Sequence, residues 1–185
     1  MDETFEIRQI EAGDTVAGLS LGDADFQPLK SYLKNEAKLH QAQGLARTYA
    51  LFRLGAGNPK KVLGYMTLVC GEIAATDAPE AQTLADGALY RYPQFPAVKL
   101  ARLAVDTSLK GNGWGTVLVD LAVGISRNEI APRVGCRFLV VDAKQKSVAF
   151  YKKAGFTQLD TDANRGRPEP VMFLDLLKVP GGEAD

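Results

Sequence analysis

Lys110-Gly111-Asn112-Gly113-Trp114-Gly115-Thr116 sets glycine at every second position of a short stretch between an apolar run and an amphipathic one. Glycine lets backbone N–H groups come close to a ligand, and a helix N-terminus behind them favours negative charge, so the segment suits a phosphate-bearing molecule. A dinucleotide G-x-G-x-x-G would need glycine where Thr116 stands, and a Walker loop needs a closing Gly-Lys-Ser/Thr that is missing. Nicotinamide-dinucleotide binding and phosphoryl transfer are therefore disfavoured. The same glycines also suit a plain strand-to-helix turn. His40 is the only histidine, and Cys70 and Cys136 stand apart with no Cys-x-x-Cys pair. That excludes zinc sites, disulfide scaffolds and Cys/His or Ser/His couples unless His40 is the base, and no metal is expected.

The elements that must position the glycine cluster follow from periodicity. The chain has 185 residues, 46% hydrophobic and 24% charged, enough for one cored domain, expected over 1–178 with a disordered tail at 179–185. No apolar run is long enough to span a bilayer and no signal peptide opens the chain, so a cytoplasmic protein is expected. Thr4 to Ile10 alternates as a half-buried strand does. Asp25-Phe26-Gln27-Pro28 reads as a helix start, after which Leu29, Leu33 and Ala37, with Tyr32 beside them, share a face. Lys30, Lys34 and Lys38 repeat at the same spacing, either snorkelling along that face or forming a cationic rail for a phosphate backbone. Ala46–Leu54 and Val62–Ile73 read as a hairpin joined by Gly55-Ala56-Gly57-Asn58-Pro59.

Residues 74–96, with Pro79, Pro93, Pro96, Tyr90 and Tyr92, are weakly patterned, with a short helix expected near Ala81–Ala85. Ala97–Asp106 is a strand, Gly113 to about Glu129 a helix, Cys136–Val141 a buried strand, and Ser147–Ala154 a short helix closed by Gly155. Phe156–Leu159 and Val171–Leu176 are the last strands, separated by a charged loop from Asp160 to Pro170. Hairpins at the front and βαβ character at the back make an α/β chain with a mixed sheet. Net charge is zero, yet residues 1–26 carry seven acidic side chains against Arg8 alone, and residues 27–61 carry seven basic ones against Glu36 alone. The chain is no general nucleic-acid coat, and one basic patch remains open to it.

The pattern Lys110-x-x-Gly113-x-Gly115 resembles the pyrophosphate loop of the GNAT family of acetyl-CoA-dependent N-acetyltransferases. Ala149-Phe150-Tyr151-Lys152-Lys153-Ala154-Gly155-Phe156 resembles the family's second signature, a Phe-Tyr helix followed by a Gly-Phe that starts a strand. Phe95 to Asp106 and Leu45-Ala46-Arg47-Thr48-Tyr49 look like the GNAT toxins of type II toxin–antitoxin modules. The resemblance implies the GNAT fold, with a central, mostly antiparallel sheet flanked by helices, and acetyl-CoA as cofactor. It also implies acetylation of the α-amine of aminoacyl-tRNA, which blocks translation, with an antitoxin protein and a second copy of the chain as partners. It puts the backbone of Leu103, Ala104 and Val105 along the pantetheine arm, and Lys110, Gly111, Asn112, Gly113, Trp114, Gly115 and Thr116 around the pyrophosphate. Lys144 stands where many members carry a cofactor-touching asparagine.

Acetyl transfer needs a neutral amine, a polarised thioester carbonyl and a proton for the departing thiolate. Tyr151 is the candidate catalytic proton donor and the Val105 N–H the polarising group, although a tyrosine in this pair also suits plain packing. No general base stands out: His40 is expected at a helix end, and a water chain or Glu72 could serve. An α-amine, neutral in roughly a tenth of molecules at pH 7, tolerates that lack far better than a lysine amine. Arg47, Lys99 and Arg102 are the cations placed to meet RNA phosphates, or are ordinary solvated charges. Two alternatives stand beside the toxin: an acetyltransferase of a small amine or a peptide or protein N-terminus, and a non-enzymatic acyl-CoA-binding regulatory module.

Overall fold

The computed structural model describes residues 3–55 and 57–179, so the expected tail lies outside the described residues except for Val179, as does Ala56 of the hairpin turn. The chain clusters into two compact units, Met1–Val69 with Leu100–Ala122, and Cys70–Lys99 with Val123–Asp185.

In the first unit the strand order is β1 (Thr4–Gln9), β2 (Arg47–Leu54), the start of β3 (Gly64–Ala74) and the end of β4 (Gln94–Val105). β1 and β2 pair antiparallel from Thr4↔Leu54 to Gln9↔Tyr49, and β2 and β3 from Arg47↔Leu68 to Leu51↔Gly64. Alternation along β2 then divides the core. Ala50 and Phe52 pack with Tyr32, Leu33 and Ala37 of α1 (Gln27–Asn35) and α2 (Ala37–Ala42), while Leu51 packs with Phe5, Ile7, Leu109 and Trp114. The two buried threonines at the β2/β3 pair, Thr48 and Thr67, satisfy each other across 2.9 Å.

Pro28 sits in the first turn of α1, as expected, but Asp25 lies inside a single tight turn, Ala24–Phe26, that Asp23 caps. The helix does not run on unbroken through Ala37. It breaks at Glu36, and beyond the break Lys38 leaves the lysine stripe, its ammonium donating to the carbonyls of Ala12 and Asp14 at 2.7 Å each. That turn is fixed from within. Arg8 grips the Asp14 carboxylate bidentately at 2.8 and 2.7 Å, and the Glu11 N–H donates to it at 2.7 Å.

Burial alone would push the Asp14 carboxyl up, but the Arg8 and Glu11 hydrogen bonds, with the charges of Arg8 and Lys38, outweigh it and hold the group below the ordinary carboxylate value. Asp14→Ala is expected to cost about 2–4 kcal/mol in urea unfolding, because Arg8 loses its bidentate partner and the Glu11 N–H its acceptor. A carboxyl depressed on folding stabilises above its unfolded value and loses that contribution as pH falls through the folded one. The gap between wild type and Asp14→Ala should therefore shrink below about pH 4.

In the second unit the order is the end of β3, the start of β4, β5 (Phe138–Asp142), β7 (Val171–Asp175) and β6 (Thr157–Gln158). β4 and β5 run parallel, from Ala97↔Phe138 to Lys99↔Val140, whereas β5/β7 and β6/β7 run antiparallel. The fold is thus mixed α/β, a mixed sheet flanked by helices. Its core here is an aromatic chain, Tyr90 on Phe95, Phe95 on Phe138 and Phe138 on Phe173, with centroids 4.4, 5.4 and 5.6 Å apart.

The stretch between β3 and β4 holds no helix near Ala81–Ala85. It forms single turns at Ala75–Asp77 and Pro79–Ala81 and a bridge from Thr83 to Leu89. Gln82 braces it, its side chain donating to the Ala75 carbonyl at 2.6 Å and its own carbonyl accepting from the Tyr90 N–H at 2.7 Å. A polar side chain that bonds the backbone of another turn competes with helix formation.

The long helix also differs from expectation. α3 (Trp114–Gly124) does not stop near Glu129 but continues through a wide π turn, Ile125–Ile130, into α4 (Ala131–Val134), and ends at Gly135. Pro132 offers no N–H to the turn before it, and the Ala131 N–H reaches back to the Ser126 carbonyl instead. The charged loop after Leu159 contains α6 (Asp162–Arg165), capped by Thr161. There the buried Asn164 amide donates to the Leu159 and Val171 carbonyls and accepts from the Val171 N–H.

Candidate active site

The first unit assembles the whole glycine cluster and the strand that feeds it. Ala104 packs with Tyr32 and Tyr65 and Val105 with Leu51 and Trp114, so alternation leaves the N–H and C=O groups of Leu103–Val105 in the sheet plane. At the strand end the chain turns through Thr107–Leu109, capped by Asp106. Lys110 follows, exposed, and then Gly111 and Gly113, with φ of +85° and +81°. That is left-handed backbone, which glycine alone adopts freely, and an added Cβ at either position would meet nothing within 4 Å.

The Val117 N–H closes the first turn of α3 on the Gly113 carbonyl at 3.1 Å, so the N–H groups of Trp114, Gly115 and Thr116 stand ahead of any helical acceptor. Trp114 anchors this end. Its ring lies 4.6 Å from Phe5, and its half-buried side chain packs against the Leu51, Leu63 and Leu109 cluster. Open left-handed glycines, free N–H groups and the positive end of α3 together fit a pyrophosphate.

The second unit positions Tyr151 on α5 (Val148–Lys153). Gly155, at φ +89°, reverses the chain so that the Phe156 N–H returns to the Tyr151 carbonyl at 3.0 Å. The Tyr151 ring then lies edge-on to both Phe150 and Phe156, at 5.1 and 5.4 Å, and is 6% exposed. Burial pushes the phenol well above its ordinary value, so it carries its proton throughout the physiological range.

Several expected cations are already engaged. Lys99 pairs with Asp142 at 2.6 Å and Lys144 with Glu169 at 2.8 Å, both in the second unit. In the first, Arg47 donates to the carbonyls of Gln41 and Ala46, while Arg102 donates to the Ala101 carbonyl and lies 4.8 Å over the Tyr32 ring. His40 sits in the last turn of α2, its ring 5.5 Å from that of Tyr32, and Glu72 is exposed on β3. Among the described residues no three His, Cys, Asp or Glu side chains gather as metal ligands, and no helix is long and apolar enough to cross a membrane.

Asp106 is the residue that sequence reasoning passed over. An aspartate closing a strand, with serine two positions on, is a cap signature, and it governs where the loop starts.

A mixed sheet, a glycine loop opening a long helix and a tyrosine helix closed by Gly-Phe define a GNAT-type acetyltransferase. Residues 58–156 match the acetyltransferase (GNAT) family, and the chain belongs to it. It is related to a tRNA-acetylating toxin of Mycobacterium tuberculosis (strain ATCC 25618 / H37Rv), with 31% identity over 174 residues, 92% of this chain and 91% of the relative. Among solved structures it is similar to AtaT complexed with acetyl-methionyl-tRNAfMet, at 28% identity and a TM-score of 0.76, covering 94% of this chain and 95% of that one. It is also similar to a tyrosine-to-phenylalanine AtaT mutant bound to the C-terminus of the antitoxin AtaR and acetyl-CoA, at 27% identity and a TM-score of 0.71, covering 96% and 95%.

Proposed function

We infer that the chain is an acetyl-CoA-dependent N-acetyltransferase that acetylates the α-amine of aminoacyl-tRNA and acts as a toxin-like inhibitor of translation. The observation that carries this is the near full-length likeness to a tRNA-acetylating toxin. Acetyl-CoA, when bound, supplies a thioester whose carbonyl carbon takes the amine and whose sulfur leaves as thiolate. The loop Gly111–Thr116 holds the pyrophosphate, chiefly through the N–H groups of Trp114, Gly115 and Thr116, since that of Asn112 already donates to the Leu109 carbonyl. Lys110 adds charge, and the backbone of Leu103–Val105 hydrogen-bonds the pantetheine arm, the Val105 N–H polarising the carbonyl. Tyr151 gives its proton to the thiolate, and the proton that the amine sheds on becoming an amide restores the phenol. The adenosine-side phosphates are the ligand for Lys144, once it is released from Glu169.

Lys30 and Lys34 of α1, together with Arg47 and Arg102, meet the RNA backbone, whereas Lys99 is neutralised by Asp142 and contributes less than its sequence position suggests. An antitoxin protein and a second copy of the chain are the proposed protein partners.

Incubation with labelled acetyl-CoA and bulk aminoacyl-tRNA is expected to give acid-stable acetyl-aminoacyl-tRNA. Deacylated tRNA and free lysine should give none. Transfer to lysine or a peptide at equal rate would replace the tRNA with a small-amine or N-terminal acceptor. Cofactor binding without transfer to any amine would leave a regulatory acyl-CoA module.

A further inference from the structure

Three hydrogen bonds converge on the Asp106 carboxylate, which is 5% exposed at the root of the glycine loop. One oxygen accepts from the Ser108 N–H at 3.0 Å and the Ser108 hydroxyl at 2.8 Å, and the other accepts from the Ser20 N–H at 2.8 Å. The Ser20 carbonyl in turn accepts from the Thr107 N–H at 2.8 Å, so residues 20 and 106–107 are laced in both directions. The fit around them is tight. Gly22 has φ +71°, and a Cβ there would stand 2.9 Å from the Thr107 methyl. Leu19, fully buried, fixes the segment from its other side in the Tyr32/Tyr65 cluster. Asp23, directly after, caps the turn that opens into α1.

We propose that Asp106 is a positioning residue for the cofactor. Its carboxylate sets the turn from which the glycine loop springs and clamps to that turn the Leu19–Gly22 segment that leads into α1, so loop and α1 are held by one group. This rests on Lys110–Thr116 being the cofactor loop. The chemistry of the carboxylate makes the clamp sensitive to a one-atom change. An ionised carboxylate accepts at both oxygens, whereas asparagine keeps one oxygen and turns the other into an N–H₂ that faces a donor, Ser20 N–H or Ser108. Either orientation replaces an attraction with a donor–donor conflict while the side chain keeps its size.

The test is calorimetric titration of the full chain with CoA, paired with acetyl-CoA kinetics. Asp106→Asn is expected to weaken CoA about tenfold or more and to raise the KM for acetyl-CoA by the same factor, with kcat at saturation within about twofold. Asp14→Asn, a buried carboxylate in the Arg8 turn, is the matched control and should lower thermal stability without moving CoA affinity. Ser108→Ala removes one of the three bonds while keeping the carboxylate, and should weaken CoA about threefold, so it reads the same quantity should Asp106→Asn fail to fold. Folded Asp106→Asn and Ser108→Ala that bind CoA as wild type does would overturn the proposal. A wild type that binds no CoA would overturn the cofactor loop itself, a distinct outcome.

Discussion

Tyr151→Phe is expected to lower kcat for acetyl transfer by about 10²- to 10³-fold while CoA affinity stays within about twofold. The substitution deletes one oxygen. The ring keeps its edge contacts to Phe150 and Phe156 and its place against the Gly155 reversal, so the α5–β6 junction should fold as before. What disappears is the proton for the thiolate. An ordinary phenol near 10 is already a weaker acid than a thiol near 8.5, and burial makes Tyr151 weaker still, so the proton crosses only as negative charge builds on sulfur in the same desolvated surroundings.

The direction of that shift gives a second readout. A phenol held above its ordinary value stays protonated through neutral pH, so Tyr151 contributes no rising limb to the rate between about pH 6 and 9. Any rise there belongs to deprotonation of the acceptor amine. Wild type and Tyr151→Phe should then share one pH profile, displaced vertically, when rates are measured by single-turnover acetylation. An unchanged kcat would make Tyr151 a packing residue, whereas a profile whose shape changes on losing the phenol would mean that the phenol titrates in this range and is not held above it.

Much of this architecture was legible in the chain because its local signals agree with its tertiary ones. Alternation set β1, large and β-branched apolar residues marked β2, Pro28 marked the entry to α1, and Gly155 marked the exit from α5. The glycine loop was legible because a left-handed φ at Gly111 and Gly113 requires glycine whatever surrounds it. What escaped depends on partners far along the chain. Lys38 looked like one of three equivalent lysines, yet the break at Glu36 sends it to the carbonyls of Ala12 and Asp14. Lys99 looked free until the parallel β4/β5 register put Asp142 on its face, two residues past Val140. Asp14 and Asp106 counted only as surface charge in a strongly acidic segment and at a strand end. Both are buried acceptors, and sequence patterning does not separate an aspartate that hydrates from one that receives three N–H or O–H groups.

Gly113→Ala should raise the Kd for CoA by about 10²-fold, because the loop works through its backbone shape. Gly113 stands at φ +81° with nothing within 4 Å of an added Cβ, so the obstacle is conformational strain and not collision. An L-residue there pays roughly 1–2 kcal/mol to stay left-handed, or relaxes to negative φ and rotates the peptide between Gly113 and Trp114. In the second case the N–H groups at the head of α3 no longer converge, and each hydrogen bond to a charged group that is lost removes about 1.5–3 kcal/mol, so two lost bonds account for the expected factor. Gly44→Ala separates strain from site. Gly44 has φ +73° and equally open surroundings in the turn after α2, so alanine there carries the same backbone cost with no anion to lose. Both variants should lose similar stability in urea, and only Gly113→Ala should lose CoA. Equal CoA affinity in the two would place the pyrophosphate elsewhere and return the glycine cluster to the role of a turn.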